Sequence, residues 1–67
     1  MDNFKLLGHI AKEIDKLRHD NAAFLAAGRA INFDEYRHVC GVIRGLNLAE
    51  NLLNDLVQRM ERADDDN

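Results

Sequence analysis

Three histidines and a single cysteine are the residues of this 67-residue chain whose chemistry suggests a metal site. His9 and Glu13 are four positions apart and would share one face of a helix. His38 and Cys40 are two positions apart, so on a helix they would point about 200° away from each other. Neither spacing gives the HExxH or CxxC pattern of metal ligands. We therefore expect helix-surface side chains here, with no metal and no cofactor.

Catalysis has few candidate residues in this sequence. The chain has no serine or threonine, so nucleophiles of those two types are excluded. Cys40 lies beside an apolar stripe, with no lysine or histidine clearly placed to activate it, and we expect a buried, unreactive thiol. Paired carboxylates would need a cleft, which so short a chain does not supply. The sequence therefore predicts a protein that is not an enzyme.

Length and composition limit the remaining classes of protein. A chain of 7.7 kDa is near the lower limit at which one domain buries its own core. With 46% apolar and 31% charged residues it is too hydrophobic to be disordered. A lone cysteine, no run of 18 apolar residues and no signal-peptide pattern predict a cytoplasmic protein without a membrane partner. The net charge of −3 argues weakly against a nucleic-acid partner.

The apolar residues of the first half recur at spacings of three, four and seven: Phe4, Leu7, Ile10, Ile14, Leu17 and Phe24. This period predicts an amphipathic helix over residues 3–27 rather than a strand. Asn21 occupies a position where the stripe requires an apolar residue. Such a residue either fixes register and oligomeric state or marks a bend in the helix, and the sequence leaves both interpretations open. Gly28 is a natural C-terminal stop.

The start of a second helix is marked by several signals around Asn32. Asn32 can act as N-cap and Glu35 can complete a capping box, while Ile31 and Tyr36 would form a hydrophobic staple. We therefore expect a turn over residues 28–32, a helix over 33–62 and an acidic tail over 63–67. The apolar stripe of this second helix has nine members: Tyr36, Val39, Ile43, Leu46, Ala49, Leu53, Leu56, Val57 and Met60.

Two long helices joined by so short a turn predict an all-α fold, an antiparallel two-helix hairpin that forms one domain over residues 1–67. Both stripes are too wide for one helix–helix contact to cover, because residues such as Leu6 and Leu52 flank them. Small scaffolds without disulfides or metals are seldom stable through one such contact. We therefore expect a homo-oligomer, such as a dimeric four-helix bundle, or a subunit of a larger assembly. A monomer with a third contact from the chain ends is the alternative.

Small residues in the second helix suggest where this association occurs. Gly41, Gly45 and Ala49 recur every four residues and line one side of the helix, so that another helix can approach closely, by analogy with small-xxx-small packing. In the alternative, one glycine only makes room for a bulky neighbour such as Phe24 or Phe33. Whether the partner helix belongs to the same chain is left open. The predicted interaction residues are Val39, Gly41, Ile43, Gly45, Leu46, Ala49, Leu53, Leu56 and Met60.

Basic residues suggest a second function, nucleic-acid binding. They lie in the first helix and around the turn: Lys5, Lys12, Lys16, Arg18, Arg29, Arg37 and Arg44. In a dimer they could form a basic face for RNA or DNA, but acidic residues are interleaved and no aromatic residues accompany them. A solvated face of mixed charge is therefore favoured. A nucleic-acid-binding regulator stays as one alternative function, and an inhibitor that covers another protein with the acidic second helix is a further one.

The segment 33–60 reads FDEYRHVCGVIRGLNLAENLLNDLVQRM and resembles small proteins of tailed bacteriophages, particularly those with short tails. The likeness lies in the EYxxVCGxIRGLxLA core, at Cys40, Gly41, Arg44 and Gly45, and in the amphipathic helix that follows. Such proteins are encoded near virion and packaging genes. The resemblance therefore implies a virion structural component or an assembly accessory in the host cytoplasm or the virion, and it transfers no functional residue. The leading hypothesis is a non-enzymatic helix–helix interaction protein of a phage assembly; an inhibitor would act on a host protein.

Overall fold

The chain folds into two α-helices that form an antiparallel hairpin. In the computed structural model, which describes residues 2–65, α1 spans Asn3–Ala26 and α2 spans Phe33–Asp65. The described residues contain no strand. The two helices pack side by side into a rod of 54 × 18 × 14 Å. The predicted all-α fold, a two-helix hairpin, is confirmed.

Helix α1 is continuous at Asn21, where a bend was one of the two interpretations of the sequence. Asp2 caps its N-terminus by accepting a hydrogen bond from the Phe4 backbone N–H at 3.0 Å. Asn21 is half-buried, and its side-chain amide donates to the Leu17 carbonyl oxygen at 2.7 Å. Because this bond satisfies the amide within its own helix, α1 accommodates Asn21 without interruption.

A Schellman motif around Gly28 ends α1. The Gly28 N–H donates to the Leu25 carbonyl oxygen at 3.0 Å. The following N–H, that of Arg29, donates to the Phe24 carbonyl oxygen at 3.2 Å. Gly28 has a φ of 69°, in the left-handed region that costs glycine little and other residues more. The stop expected at this position therefore follows from the backbone conformation of one residue.

Helix α2 begins with the expected N-cap but without the expected hydrophobic staple. The Asn32 side-chain oxygen accepts a hydrogen bond from the Glu35 backbone N–H at 2.8 Å. Ile31 is 82% exposed, so the predicted staple between Ile31 and Tyr36 is wrong. The Tyr36 ring instead stacks on Phe33, with ring centroids 6.3 Å apart. The two residues are three positions apart and therefore lie on the same face of the first helical turn.

The C-terminal part of α2 differs from the expected acidic tail. The helix continues past residue 62 to Asp65, so most of the segment expected as a tail over 63–67 is helical. Residues 66 and 67 lie outside the described residues. Carboxylates at a helix C-terminus interact unfavourably with the helix dipole. Here the helix nevertheless continues, because each added residue gains a backbone hydrogen bond.

The two helices meet along rows of residues spaced alternately by four and three positions, the spacing typical of helices that pack nearly parallel or antiparallel. On α1 the row is half-buried: Leu7, Ala11, Ile14, Arg18, Asn21 and Leu25. On α2 the row is buried or half-buried: Val39, Ile43, Leu46, Glu50, Leu53, Val57 and Met60. Three of these thirteen side chains are polar or charged, so the contact within the hairpin is only partly apolar.

The apolar stripe predicted for α1 is only partly the surface that meets α2. Three of its members are exposed: Phe4 by 37%, Ile10 by 39% and Leu17 by 51%. A single partner helix covers only a narrow part of a wide stripe. The covered part, which we call the seam, is the row of residues that meets the other helix, and on α1 it runs through Ala11 and Arg18. Ala11 allows close approach, and Arg18 finds polar partners across the interface.

Candidate protein interaction face

The hairpin itself buries several of the predicted interaction residues. Val39 and Leu53 are the buried hydrophobic residues of the described chain, at 8% and 9% exposure. Four further members are half-buried: Ile43, Leu46, Ala49 and Met60. The structure therefore brings most of this set against α1 of the same chain, and it leaves Gly41, Gly45 and Leu56 exposed.

The two glycines of α2 face open space. No heavy atom outside their own helix backbone and adjacent residues lies within 4 Å of the position that a Cβ would occupy at Gly41 or at Gly45. The partner that these glycines were predicted to approach is therefore not α1 of the same chain. The alternative, in which a glycine makes room for Phe24 or Phe33, is wrong for the same reason. Close approach by a helix of another chain stays a prediction.

Large apolar side chains are exposed on both helices, away from the contact between them. On α1 these include Leu6 at 45%, Ile10 at 39% and Leu17 at 51% exposure. At about 100° per residue, all three lie roughly a quarter-turn to one side of Arg18 in the interface row. On α2, Leu52 is 70% exposed and Leu56 is 44% exposed.

A polar cluster around Arg18 shows which flanks of the two helices face the same way. Arg18 is ion-paired with Asp15 on its own helix and with Glu50 of α2, at 3.0 Å for the latter pair. It also donates a hydrogen bond to the Asn47 side-chain oxygen at 3.2 Å. Because Arg18 reaches both Asp15 and Asn47, these two residues flank the same side of the hairpin, which we call the polar side.

The opposite side of the hairpin is apolar. Ile10 and Leu17 lie on the flank of α1 opposite Asp15, and Leu56 lies on the flank of α2 opposite Asn47. The apolar side, as we call it, comprises the following residues: Leu6, Ile10, Leu17 and Phe24 of α1, and Val42, Gly45, Ala49, Leu52 and Leu56 of α2. From Leu6 to Leu17 these exposed side chains extend along α1 with no contact to α2 that would hide them.

A shallow depression of about 230 Å³ adjoins the turn end of the apolar side. It is open to solvent and lined by Asp20, Asn21, Phe24 and Val39. The lining consists of two apolar side chains, those of Phe24 and Val39, and two polar ones, those of Asp20 and Asn21. The depression thus continues the apolar side toward the turn rather than forming a separate enclosed cleft.

Three arginines have partners within the chain: Arg18 is ion-paired, and Arg29 and Arg37 lie over aromatic rings. The pKa of Arg18 is raised above its ordinary value, first by its hydrogen bond to Asp15 and also by Glu50, while desolvation opposes the rise. Arg29 lies 5.8 Å from the centre of the Phe24 ring, and Arg37 lies 5.9 Å from that of Phe33. The expectation that no aromatic residues accompany the basic ones is therefore wrong near the turn.

The chemistry-bearing residues are not assembled into a site in the part of the chain that the structure describes. Cys40 is half-buried rather than buried, and it lies one helical turn from Tyr36. A hydrogen bond with Cys40, followed by the electrostatic effect of that residue and by desolvation, raises the pKa of Tyr36 above its ordinary value. Among the described residues no three His, Cys, Asp or Glu side chains are grouped so that they could hold a metal ion.

Neither described helix is long and apolar enough to cross a membrane. Comparison of the chain with protein-family models, with curated proteins and with solved structures found no match. What the chain does must therefore be argued from its own surface.

Proposed function

We propose that this chain is a non-enzymatic interaction protein that works by helix–helix association through its apolar side. The observation that supports this function is the exposure of large side chains such as Leu17 and Leu52 beside a core in which only Val39 and Leu53 are buried among the described residues. Large apolar side chains that stay exposed beside so small a core mark contact sites, because leaving them in water is unfavourable. The chain is thus suited to covering, or being covered by, other helices.

The resemblance of residues 33–60 to small phage proteins supplies the setting of this proposal. In that setting the chain acts as a virion structural component or an assembly accessory, in the host cytoplasm or in the particle. Within the hairpin, Cys40 and Arg44 lie on α2 away from the buried seam at Val39 and Leu53. The residues that carry the likeness are therefore largely on the surface, where a partner can reach them.

Site-specific photo-crosslinking tests the proposed function. A photo-reactive amino acid is placed at Leu17 on the apolar side, or at Ala22, an exposed residue on the polar flank of α1. In cells that make the protein, crosslinks to a helical partner are expected from position 17 and not from position 22. Equal crosslinking from both positions, or none from position 17, contradicts the proposal. Detection of the crosslinked species in purified particles separates a virion component from an accessory.

A further inference from the structure

The solvent-accessible surface of the chain is larger than that of a typical compact monomer of the same mass. Compact monomers follow a scaling law that gives about 4,300 Å² for 7.7 kDa. The hairpin exposes 5457 Å², an excess of roughly 1,100 Å² over that law. One partner in a standard protein–protein interface buries about 800 Å². The excess is therefore of the size that one association of the hairpin would remove.

The apolar side has the composition of an interface between identical chains. The residues that make up this side, from Leu6 to Phe24 of α1 and from Val42 to Leu56 of α2, are uncharged, and the charged residues Glu13 and Asp20 lie at its edge. Charge is depleted from the centre of such interfaces, whereas recognition of nucleic acid or of a strongly charged protein requires charge. A face whose charged residues lie only at its edge can meet a copy of itself without placing like charges opposite each other at its centre.

The geometry of the hairpin also suits a second copy. The face extends over about 27 Å of α1, from Leu6 to Phe24, at 1.5 Å per residue. A two-fold axis in the plane of the face runs either along the helices or across them. In both cases every helix lies beside an antiparallel neighbour, the arrangement of an ordinary four-helix bundle. Gly45 lies within this face with open space at its Cβ position, so a partner helix can approach there.

We infer that a second copy of this chain covers the apolar side and that the dimer is an antiparallel four-helix bundle. The inference rests on the proposed function, because it names the partner of the same face. The Arg18 cluster then lies on the outer surface of the bundle, and the side chains of Leu17 and Leu52 lie in the contact between the two hairpins. The polar sides of the two hairpins face solvent, which keeps the charged residues hydrated.

Sedimentation equilibrium of the full-length chain tests this inference. A dimer of about 15 kDa, twice the 7.7 kDa of one chain, is expected. Leu17→Glu and Leu52→Glu remove little buried surface within the hairpin, because these side chains are 51% and 70% exposed, but each would bury a charge in the dimer. Each is expected to raise the dimer dissociation constant about 100-fold.

Ile31→Glu is the matched control, since it makes the same change of charge at a residue that is 82% exposed and lies in the turn. It is expected to leave the dissociation constant within about threefold of that of the unmodified chain, since exposed substitutions change energies by little. An unmodified chain that stays monomeric at about 100 µM, where typical dimers associate, overturns the inference. Equal dissociation of the control and the Leu17→Glu variant does so as well.

A second measurement does not depend on a destabilised variant. Cysteine is placed at Leu52 or at Ile31 in a Cys40→Ala background, and alkylation by iodoacetamide is followed at several protein concentrations. Labelling at position 52 is expected to slow at least about tenfold above the dissociation constant, because the thiol becomes buried, while position 31 stays reactive. Labelling at position 52 that does not depend on concentration contradicts the second copy.

The two proposals fail in different ways. A monomeric chain that crosslinks from position 17 to another protein overturns the second copy and leaves the proposed function standing. A chain that crosslinks equally from positions 17 and 22 removes both.

Discussion

Arg18 and Asn21 are polar residues in the row through which α1 meets α2, and each is satisfied in a different way. Asn21 bonds to the backbone of its own helix, to the Leu17 carbonyl oxygen. Arg18 bonds across the hairpin to Glu50 and Asn47. Only the bonds of Arg18 depend on how the helices are aligned, so Arg18 favours one register of the hairpin and Asn21 does not.

Tyr36 gives a pH-dependent prediction at the residue scale. Its pKa is raised above 10.0 in the fold, first by the hydrogen bond to Cys40, so the neutral phenol is favoured. The resulting contribution to stability is fully present below pH 10 and is lost as the pH rises through the raised pKa. Absorbance titration of the tyrosinate is expected to show a lower midpoint in a Cys40→Ala variant. An unchanged midpoint would show that Cys40 does not raise it.

Gly8 allows a stabilising substitution, because it lies inside α1 with nothing within 4 Å of its Cβ position. Gly8→Ala is expected to raise the free energy of unfolding by about 0.5–1 kcal/mol by reducing the entropy of the unfolded chain. Thermal unfolding should show a melting temperature several degrees higher. Gly28→Ala is the comparison, since the φ of 69° disfavours alanine and the melting temperature should fall.

The elements are defined at their ends by local hydrogen bonds: Asp2 and Asn32 cap the N-termini, and the Schellman motif at Gly28 ends α1. Between these points the helices need only a continuous run of helix-forming residues. Each cap uses residues at most five positions apart, so each can form before the hairpin closes. The turn is thus held by local contacts on both sides.

Asn32 provides the prediction at the scale of the element. Asn32→Ala removes the acceptor for the Glu35 N–H and is expected to lower the free energy of unfolding by about 1 kcal/mol. Asn32→Asp keeps an acceptor at the same place and should retain most of the stability. Urea unfolding followed by circular dichroism measures both variants. Equal losses in the two variants would mean that the cap contributes nothing.

At the scale of the whole molecule, the hairpin is an incomplete structure. Its polar side is ordered by the Arg18 cluster, whereas its apolar side exposes Leu17, Leu52 and Leu56. Two buried residues, among those described, are few for a chain that must offset its conformational entropy. In the proposed dimer, association would contribute to folding as well as to function, and the melting temperature should depend on concentration.

Gly45→Leu tests the part of the apolar side that the glycines form. Open space surrounds the Gly45 Cβ position, so the single chain accommodates leucine and its helix content should stay nearly unchanged. The added side chain would hold a second helix away and raise the dimer dissociation constant about tenfold, as overpacking by 1–3 kcal/mol implies. Gly8→Leu, also in open space but on the polar flank, is the control. Sedimentation that shows the same oligomer in both variants would exclude close approach at Gly45.

The fold could largely be predicted from the sequence, whereas the residues of the apolar side could be predicted only in part. The 3.6-residue period, Gly28 and Asn32 predicted two helices and a turn between them. The same pattern predicted Ile10 and Leu17 as members of the stripe but not that they would lie outside the seam. The seam could have been found from the alternating spacing of four and three positions that begins at Leu7, Ala11 and Ile14. Arg18 and Asn21 continue this spacing, but they are polar, so the row does not stand out as an apolar pattern.

The sequence by itself determined the two helices and the turn between them, because the hydrogen bonds that define the end of α1 and the start of α2 join residues only a few positions apart. Only the tertiary structure decided which seam each wide stripe would use. That choice depends on bonds such as the one from Arg18 to Glu50, between residues 32 positions apart in sequence. Because one helix can cover only one flank of another, packing along the row that contains Arg18 also determined which apolar side chains stayed exposed.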